Sequence, residues 1–405
     1  MTASNDVDVV VVGAGPTGSA ASGLLARAGF RVRTLERETF PRFHIGESLL
    51  PSCLVTLAKL GVDLGERGYL LKRGAEFFDE PSGEYKYYPF AEALPGPPRH
   101  AYQVERGDFD LDLARAAASF GADVRFAVEA RSFAVDDAGV TVVCSDETVR
   151  ARYLVDAAGR RGLLARACGG MTNIGDLGRG ASFVHYTDLS ASVWEELAER
   201  GDIKVLRIPD GWIWVIPLAG PKLSIGVVLR RGKVTPELVL EQVAASPLLS
   251  RLTAGATAGE LRVIGDYSYA NLHTHEARCV AIGDAAGFLD PIFSSGVAIG
   301  LASAERMCAR LVPALHEGRE GEPELMAELK PLLNVAYRTF HSIAHRFYNT
   351  ALMDNVLFAG APDPELRAGL ISILAGDVWR SDNRFQQLMF ASARHDLPDV
   401  PWMRA

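Results

Sequence analysis

Val7-Asp8-Val9-Val10-Val11-Val12-Gly13-Ala14-Gly15-Pro16-Thr17-Gly18 is the stretch that decides the fold. The valine run makes a buried parallel strand, since β-branched side chains suit the pleat when both faces are covered. The glycines that follow keep the GxGxxG spacing. Gly13 permits a tight turn, Gly15 lets backbone approach a phosphate, and Gly18 lets the next helix pack on the strand. Residues 19–28 read as that helix and residues 31–35 as a second strand ending at Glu36. Glu36 stands 18 positions after Gly18, where a carboxylate accepts hydrogen bonds from a ribose diol. Strand, turn, helix, strand and terminal acid in this order predict a dinucleotide held with its phosphates at a helix N-terminus.

Two later segments converge on the same ligand. Gln103-Val104-Glu105-Arg106-Gly107-Asp108-Phe109-Asp110 offers Arg106 just before a helix expected over residues 109–120, with Asp108 as its N-cap. Val280-Ala281-Ile282-Gly283-Asp284-Ala285-Ala286-Gly287 is a strand running into Gly283-Asp284. There Asp284 is positioned to bond a ligand hydroxyl. A small-residue helix is expected over 296–311, its N-terminus presenting a positive dipole end.

Between these landmarks the pattern predicts a helix over 48–60 and strands over 124–128, 134–145 and 153–156. Residues 79–100, rich in aromatics and prolines, are expected to form strand edges and a loop over a binding surface. Residues 182–269 read as mostly β, broken by helices at 192–200 and 236–246. Everything after about Pro323 has a helical pattern, with turn signals at Gly360-Ala361-Pro362 and Gly376-Asp377. The fold class is therefore α/β: a Rossmann-type domain interleaved with a mostly antiparallel sheet domain, plus a C-terminal helical region. The expected division is 1–78, 101–180 and 270–320 for the cofactor domain, 79–100 and 181–269 for the substrate side, and 321–405 for the helical region.

The chain has 405 residues and a formal net charge of −8, which gives no overall attraction to nucleic acid or an anionic membrane. No apolar run approaches the roughly 18 residues that span a bilayer, and the polar opening has no signal-peptide pattern, so a cytoplasmic protein is expected. Its five cysteines lack CxxC spacing, and His341 and His345 lack a third ligand, so no metal is expected.

The fingerprint together with the late Gly-Asp strand end resembles FAD enzymes related to aromatic hydroxylases and geranylgeranyl reductases. Within that resemblance, over about residues 7–310, Val155-Asp156-Ala157-Ala158-Gly159-Arg160 is similar to the family's Asp-Gly segment. Val128 matches the position whose backbone borders the adenine. Three local motifs narrow the likeness: Phe40-Pro41-Arg42-Phe43-His44-Ile45-Gly46-Glu47-Ser48-Leu49-Leu50-Pro51, Gly211-Trp212-Ile213-Trp214-Val215-Ile216-Pro217 and Asp290-Pro291-Ile292-Phe293-Ser294-Ser295-Gly296-Val297. They resemble flavin-dependent halogenases, in particular the carrier-protein-dependent pyrrole and phenol branch, and Leu374-Ala375-Gly376-Asp377-Val378 is similar to that branch.

The resemblance implies FAD, used as FADH2, which with O2 and chloride or bromide yields hypohalous acid. That acid then moves to a lysine in a Lys-x-Gly-Ala stretch, here Lys72, which either donates a hydrogen bond to it or carries the halogen as a chloramine. An ammonium is a compact donor whose pKa falls on burial, and the neighbouring Arg73 cannot do amine chemistry. By family position Gly13, Gly15, Gly18, Glu36, Arg37, Arg42, Ser48, Arg106, Val128, Asp156, Gly283, Asp284 and Pro291 hold the cofactor. Backbone N–H groups of Ser295 and Gly296 suit the halide. Trp212 and Trp214 keep organic substrate from the flavin, and Glu47 secures beside it the strap formed by the motif at residues 40–51. A single GxGxxG unit hints at a separate NAD(P)H-dependent flavin reductase as partner. The short C-terminal region favours an aromatic group on a carrier protein over free tryptophan. An aromatic hydroxylase or alkene reductase on the same fold stays open at this point.

Overall fold

The computed structural model describes residues 6–175, 177–178, 180–265, 267–349, 353–358 and 363–392. The valine-rich opening is the strand Val7–Val12, paired in parallel with Val32–Leu35 on one side and Thr148–Asp156 on the other. Asp123–Arg125 and Cys279–Ala281 extend this parallel sheet at its two sides. Val9 and Val11 enter one buried cluster and Val10 and Val12 another, because successive side chains alternate and both faces are covered. The helix Pro16–Arg27 packs between Arg106–Ser119 and Ser295–Glu317.

A second sheet runs in the order Thr257–Ala258, Gly180–Thr187, Lys222–Leu229, Gly211–Leu218, Ile203–Ile208, Gly74–Asp79, Glu84–Pro89. Its pairings are antiparallel except between Ile203–Ile208 and Gly74–Asp79. The alternation within Gly211–Leu218 positions the site. Ile213 and Val215 face a core closed by the helices Ala191–Ala198, Leu238–Ala245 and Pro247–Leu252. Trp212, Trp214 and Ile216 face the other way, into the core shared with the first sheet. Helices Leu329–Asn349, Pro364–Leu374 and Arg384–Ala391 follow, giving the mixed α/β architecture with a helical C-terminal region. Among the described residues no helix is long and apolar enough to cross a membrane.

Several local expectations are corrected. The helix of the 48–60 segment is only Cys53–Lys59, because the preceding residues lie extended against Ala101–Gln103 and Ser48 bridges Gln103. The helix after Gln103 begins at Arg106, so Asp108 sits in its first turn and Glu105 is the N-cap. The strand expected over 134–145 is a hairpin, since Asp136 Oδ1 accepts the Ala138 and Gly139 N–H groups and turns the chain. Residues 79–100 do not line the cavity, and Arg367 of the C-terminal region stacks on Tyr88 among them. Gly74–Asp79, expected on the cofactor side, belongs to the second sheet. The turn signal Gly360-Ala361-Pro362 and residues 393–405 lie outside the described residues.

Candidate active site

One cavity of about 680 Å³ runs from the glycine turn to the tryptophan strand. At its first end the wall is backbone. Gly13 has φ +96°, and a side chain there would meet the Ala157 carbonyl; one on Gly18 would meet the Gly13 carbonyl. A side chain on Gly15 would meet only Arg42, at 3.8 Å, so this glycine leaves the helix N-terminus open toward the cavity. Glu36 ends the second strand and lines the wall. Its carboxylate accepts Ala14 N–H at 2.8 Å and Glu38 N–H at 2.9 Å, which ties the acid to the turn it serves. Val128 donates its N–H to the Glu36 carbonyl and borders the same end, with Arg37 beside it.

Midway, Arg106 forms a bidentate pair with Asp110 (2.8 and 3.0 Å) and donates to the Ile45 carbonyl at 2.7 Å, fixing the strap to the helix Arg106–Ser119. Arg42 approaches Asp110 within 2.9 Å, lies over the Phe40 ring and lines the cavity. Asp284 lines the cavity opposite, and burial pushes its carboxyl up to about 6 against the pull of Arg106.

At the far end Pro291, Ser294, Ser295 and Gly296 form the wall with Trp212 and Trp214. Ser294 takes a left-handed conformation, and the helix Ser295–Glu317 starts immediately after it, so its first N–H groups have no intrahelical partner. Trp214 donates to Ser224 at 3.1 Å, and its ring occupies the space that a side chain on Gly226 would need. Trp212 donates to the Tyr348 hydroxyl at 2.8 Å, and Tyr348 in turn donates to Asp290 at 3.1–3.2 Å. Asp290 also accepts Ile292 and Gly178 N–H groups, and burial pushes it up to about 6.

Glu47 is buried in the strap, with His185 Nε2 2.8 Å away at an angle unlike that of an aligned hydrogen bond. Burial alone would lower the imidazole's pKa; the Glu47 carboxylate outweighs it and holds His185 above its ordinary value. Ser48, next along, lines the cavity and accepts a 2.9 Å hydrogen bond from Lys72 Nζ. Lys72 does not line the cavity. It is 1 % exposed, also donates to the Leu49 carbonyl at 2.9 Å, and faces the Phe90 ring 5.3 Å away. Burial pushes its pKa down to about 8, while Asp202 pulls the other way.

Three expected cofactor-binding residues, Gly18, Asp156 and Gly283, are not on the cavity wall. The Asp156 carboxylate accepts Ala158 and Leu164 N–H groups, so it caps the turn after its strand. Gly283 gives close passage to Thr17, with which any side chain would collide, and its N–H goes to Ser303. Sequence reasoning missed His185, Tyr348 and Tyr267. Tyr267 lines the cavity with a buried hydroxyl that has no partner among the described residues. No local signal marks any of the three.

Residues 6–326 match the family model described as FAD binding domain. A 1H-pyrrole-2-carbonyl-[peptidyl-carrier protein] chlorinase of Pseudomonas fluorescens is 28 % identical, the alignment covering 93 % of this chain and 90 % of that one. Among solved structures, a myxobacterial chondrochloren halogenase is 30 % identical with a TM-score of 0.75, covering 94 % of this chain and 92 % of the other. The chain belongs to the flavin-dependent halogenases. A flavoprotein/dehydrogenase of Cytophaga hutchinsonii shares the architecture as well, at 29 % identity and a TM-score of 0.85 over 94 % of this chain and 95 % of that one. The halogenase is thus an oxidoreductase that uses FAD, O2 and chloride or bromide. The cavity fits that cofactor on its own terms, with a backbone cradle at one end, an acid at the second strand and the Asp284 carboxylate facing in.

Proposed function

We propose that this halogenase puts chlorine or bromine on an electron-rich aromatic ring, a pyrrole or phenol carried by an acyl or peptidyl carrier protein, in natural-product biosynthesis. The oxidant is made at the flavin end of the cavity and consumed at Lys72. The observation that carries this reading is the position of Lys72: fully buried, and hydrogen-bonded to Ser48, which is itself part of the cavity wall.

The turn from Gly13 to Gly18 and the guanidinium of Arg42 hold the pyrophosphate. Glu36 takes the ribose, Val128 and Arg37 border the adenine half, and Arg106, Asp284 and Pro291 flank the flavin half. When bound in its reduced form, FAD supplies the electrons that activate O2 for halide oxidation. Ser295 and Gly296 offer the halide N–H donors at a helix start. Trp212 and Trp214 fill the space where an organic substrate would otherwise reach the flavin, and so favour halide oxidation over hydroxylation. Glu47, paired with His185, keeps the strap closed on the flavin. Hypohalous acid passes Ser48 to Lys72, whose ammonium donates a hydrogen bond to its oxygen and polarises the oxygen–halogen bond. A separate NAD(P)H-dependent flavin reductase provides FADH2. The carrier-bound substrate is supported by the pyrrolyl-carrier chlorinase among the relatives.

The test is an assay with FAD, a flavin reductase, NADH and chloride. Pyrrole-2-carboxyl and hydroxybenzoyl groups are offered on a phosphopantetheinylated carrier protein or as free acids. Mass spectrometry is expected to show the chlorine isotope pattern on the carrier-bound form. A gain of oxygen without halogen would mark a hydroxylase instead, and halogenation of the free acids alone would remove the carrier.

A further inference from the structure

Behind Ser48, three polar side chains share one buried face of a small sheet. Leu70–Lys72 pairs antiparallel with Ala101–Gln103, Lys72 opposite Ala101 and Leu70 opposite Gln103. Directly paired residues project to the same face, as do residues two apart, so Gln103 lies diagonally beside Lys72. The bridge between Ser48 and Gln103 brings Ser48 onto that face too. None of the three is more than 6 % exposed.

The hydrogen bonds of this face are incomplete. Gln103 Nε2 donates to the Gly201 carbonyl at 2.9 Å, an acceptor that only the N–H end of the amide can satisfy. That fixes the other end: Gln103 Oε1 is buried and without a partner among the described residues. Lys72 spends two of its three N–H groups, on Ser48 and Leu49. A fully buried amide oxygen without a donor is costly, and such atoms survive where a ligand or water completes them. The turn carrying Gly201 is rigid for a second reason. Asp202 Oδ1 accepts the Arg73 and Gly74 N–H groups, so the same turn holds both Gln103 and the backbone just after Lys72.

We propose that Gln103 is a further catalytic residue: its amide oxygen accepts the O–H of the hypohalous acid whose oxygen receives the hydrogen bond from Lys72. Held at both oxygen sites, the acid presents its halogen outward to the ring. The ring carbon forms its bond to halogen with a π pair, and the oxygen–halogen bond breaks with its pair staying on oxygen. The hydroxide so formed takes the ring proton and leaves as water. This inference rests on the oxidant-transfer reading of Lys72.

The experiment follows escape of the oxidant and needs no aromatic substrate. Holoenzyme carrying reduced FAD is mixed with O2 and bromide. Flavin oxidation is followed by absorbance, and released hypobromite by bromination of monochlorodimedone. Lys72→Met is expected to release oxidant fast. Gln103→Met, which removes both polar ends at similar volume, is expected to release it about tenfold faster than the natural chain, with flavin oxidation unchanged. Gln103→Glu keeps an acceptor while giving up the N–H to Gly201 and adding a negative charge beside the Lys72 ammonium, so its release is expected to stay within about twofold of the natural rate. Equal release from the two Gln103 variants, or release from Gln103→Met at the natural rate, overturns the assignment; so does a changed flavin oxidation rate in Gln103→Met. Slow release from Lys72→Met sinks the lysine reading beneath it.

Discussion

Around the glycine turn the wall of the cavity is backbone, open and shaped by what is missing: side chains on Gly13 and Gly18, and bulk on Gly15. Around Lys72, behind that wall, the surroundings are closed and shaped by hydrogen bonds to Ser48, Leu49 and the Gly201–Asp202 turn. The first region binds a large anionic cofactor, which needs room, donors and a helix terminus. Under the proposed function the second handles a small reactive acid, which needs exclusion of water and a few fixed donors and acceptors. Ser48 belongs to both. The two regions therefore divide the work, and variants in each should fail in different ways.

The largest expected effect lies in the closed region. Lys72→Met keeps the apolar packing of the stem and removes the ammonium, and halogenation is expected to fall by about 100-fold or more. FAD affinity, followed by flavin fluorescence, is expected to hold. Halogenation that persists in this variant would remove the lysine from the chemistry. The open region should fail the other way: Glu36→Ala loses the proposed ribose acceptor and the bonds from Ala14 and Glu38 N–H, so FAD is expected to bind about tenfold or more weakly. Halogenation should return when FAD is added in excess. Loss that no FAD concentration restores would mean that Glu36 acts on more than affinity.

The same contrast explains how much could be read from the sequence. The glycine turn, its strand and Glu36 were legible because the motif is local and each residue type answers a backbone requirement. Asp156 and Gly283 stand off the cavity wall, where they cap and pack the turns beside it, a role their motif does not spell out. The closed region offered no such local code. Lys72 could be assigned only through resemblance. Gln103 joins it through a register between two short strands, and Trp212 meets Tyr348 across 136 positions. Such contacts are set by tertiary packing, which periodicity does not encode.

A smaller effect comes from pH. Burial pushes Lys72 down to about 8, so the ammonium is mostly present at pH 7 and mostly gone by pH 9. If the ammonium is the donor, halogenation per flavin oxidised is expected to fall about tenfold between these values, since each unit above the pKa costs a factor of ten in the protonated form. The stability consequence has the opposite sign. Between about 8 and 10.5 the unfolded chain binds the proton that the folded chain has released, so stability rises with pH across that window. Lys72→Met should lack both trends. A rate that climbs through pH 8 would assign the reacting species to the neutral amine.

The smallest expected effect falls at the tryptophan end of the cavity. Tyr348→Phe takes away the hydroxyl that receives the Trp212 indole N–H and donates to Asp290, leaving two buried groups short of a partner. The cost to stability is expected to be about 1–3 kcal/mol, read by denaturant titration. Asp290 is already pushed up to about 6, and loss of the tyrosine's hydrogen bond, which lowers it, should raise it further. Because Trp212 would keep its place in the packed face but lose its fixed tilt, flavin oxidation should continue while halogenated product per flavin drops a few-fold. Unchanged coupling with lowered stability would show that Tyr348 supports the fold alone, and that packing against Trp214 is enough to hold the indole, since their ring centroids are 5.9 Å apart.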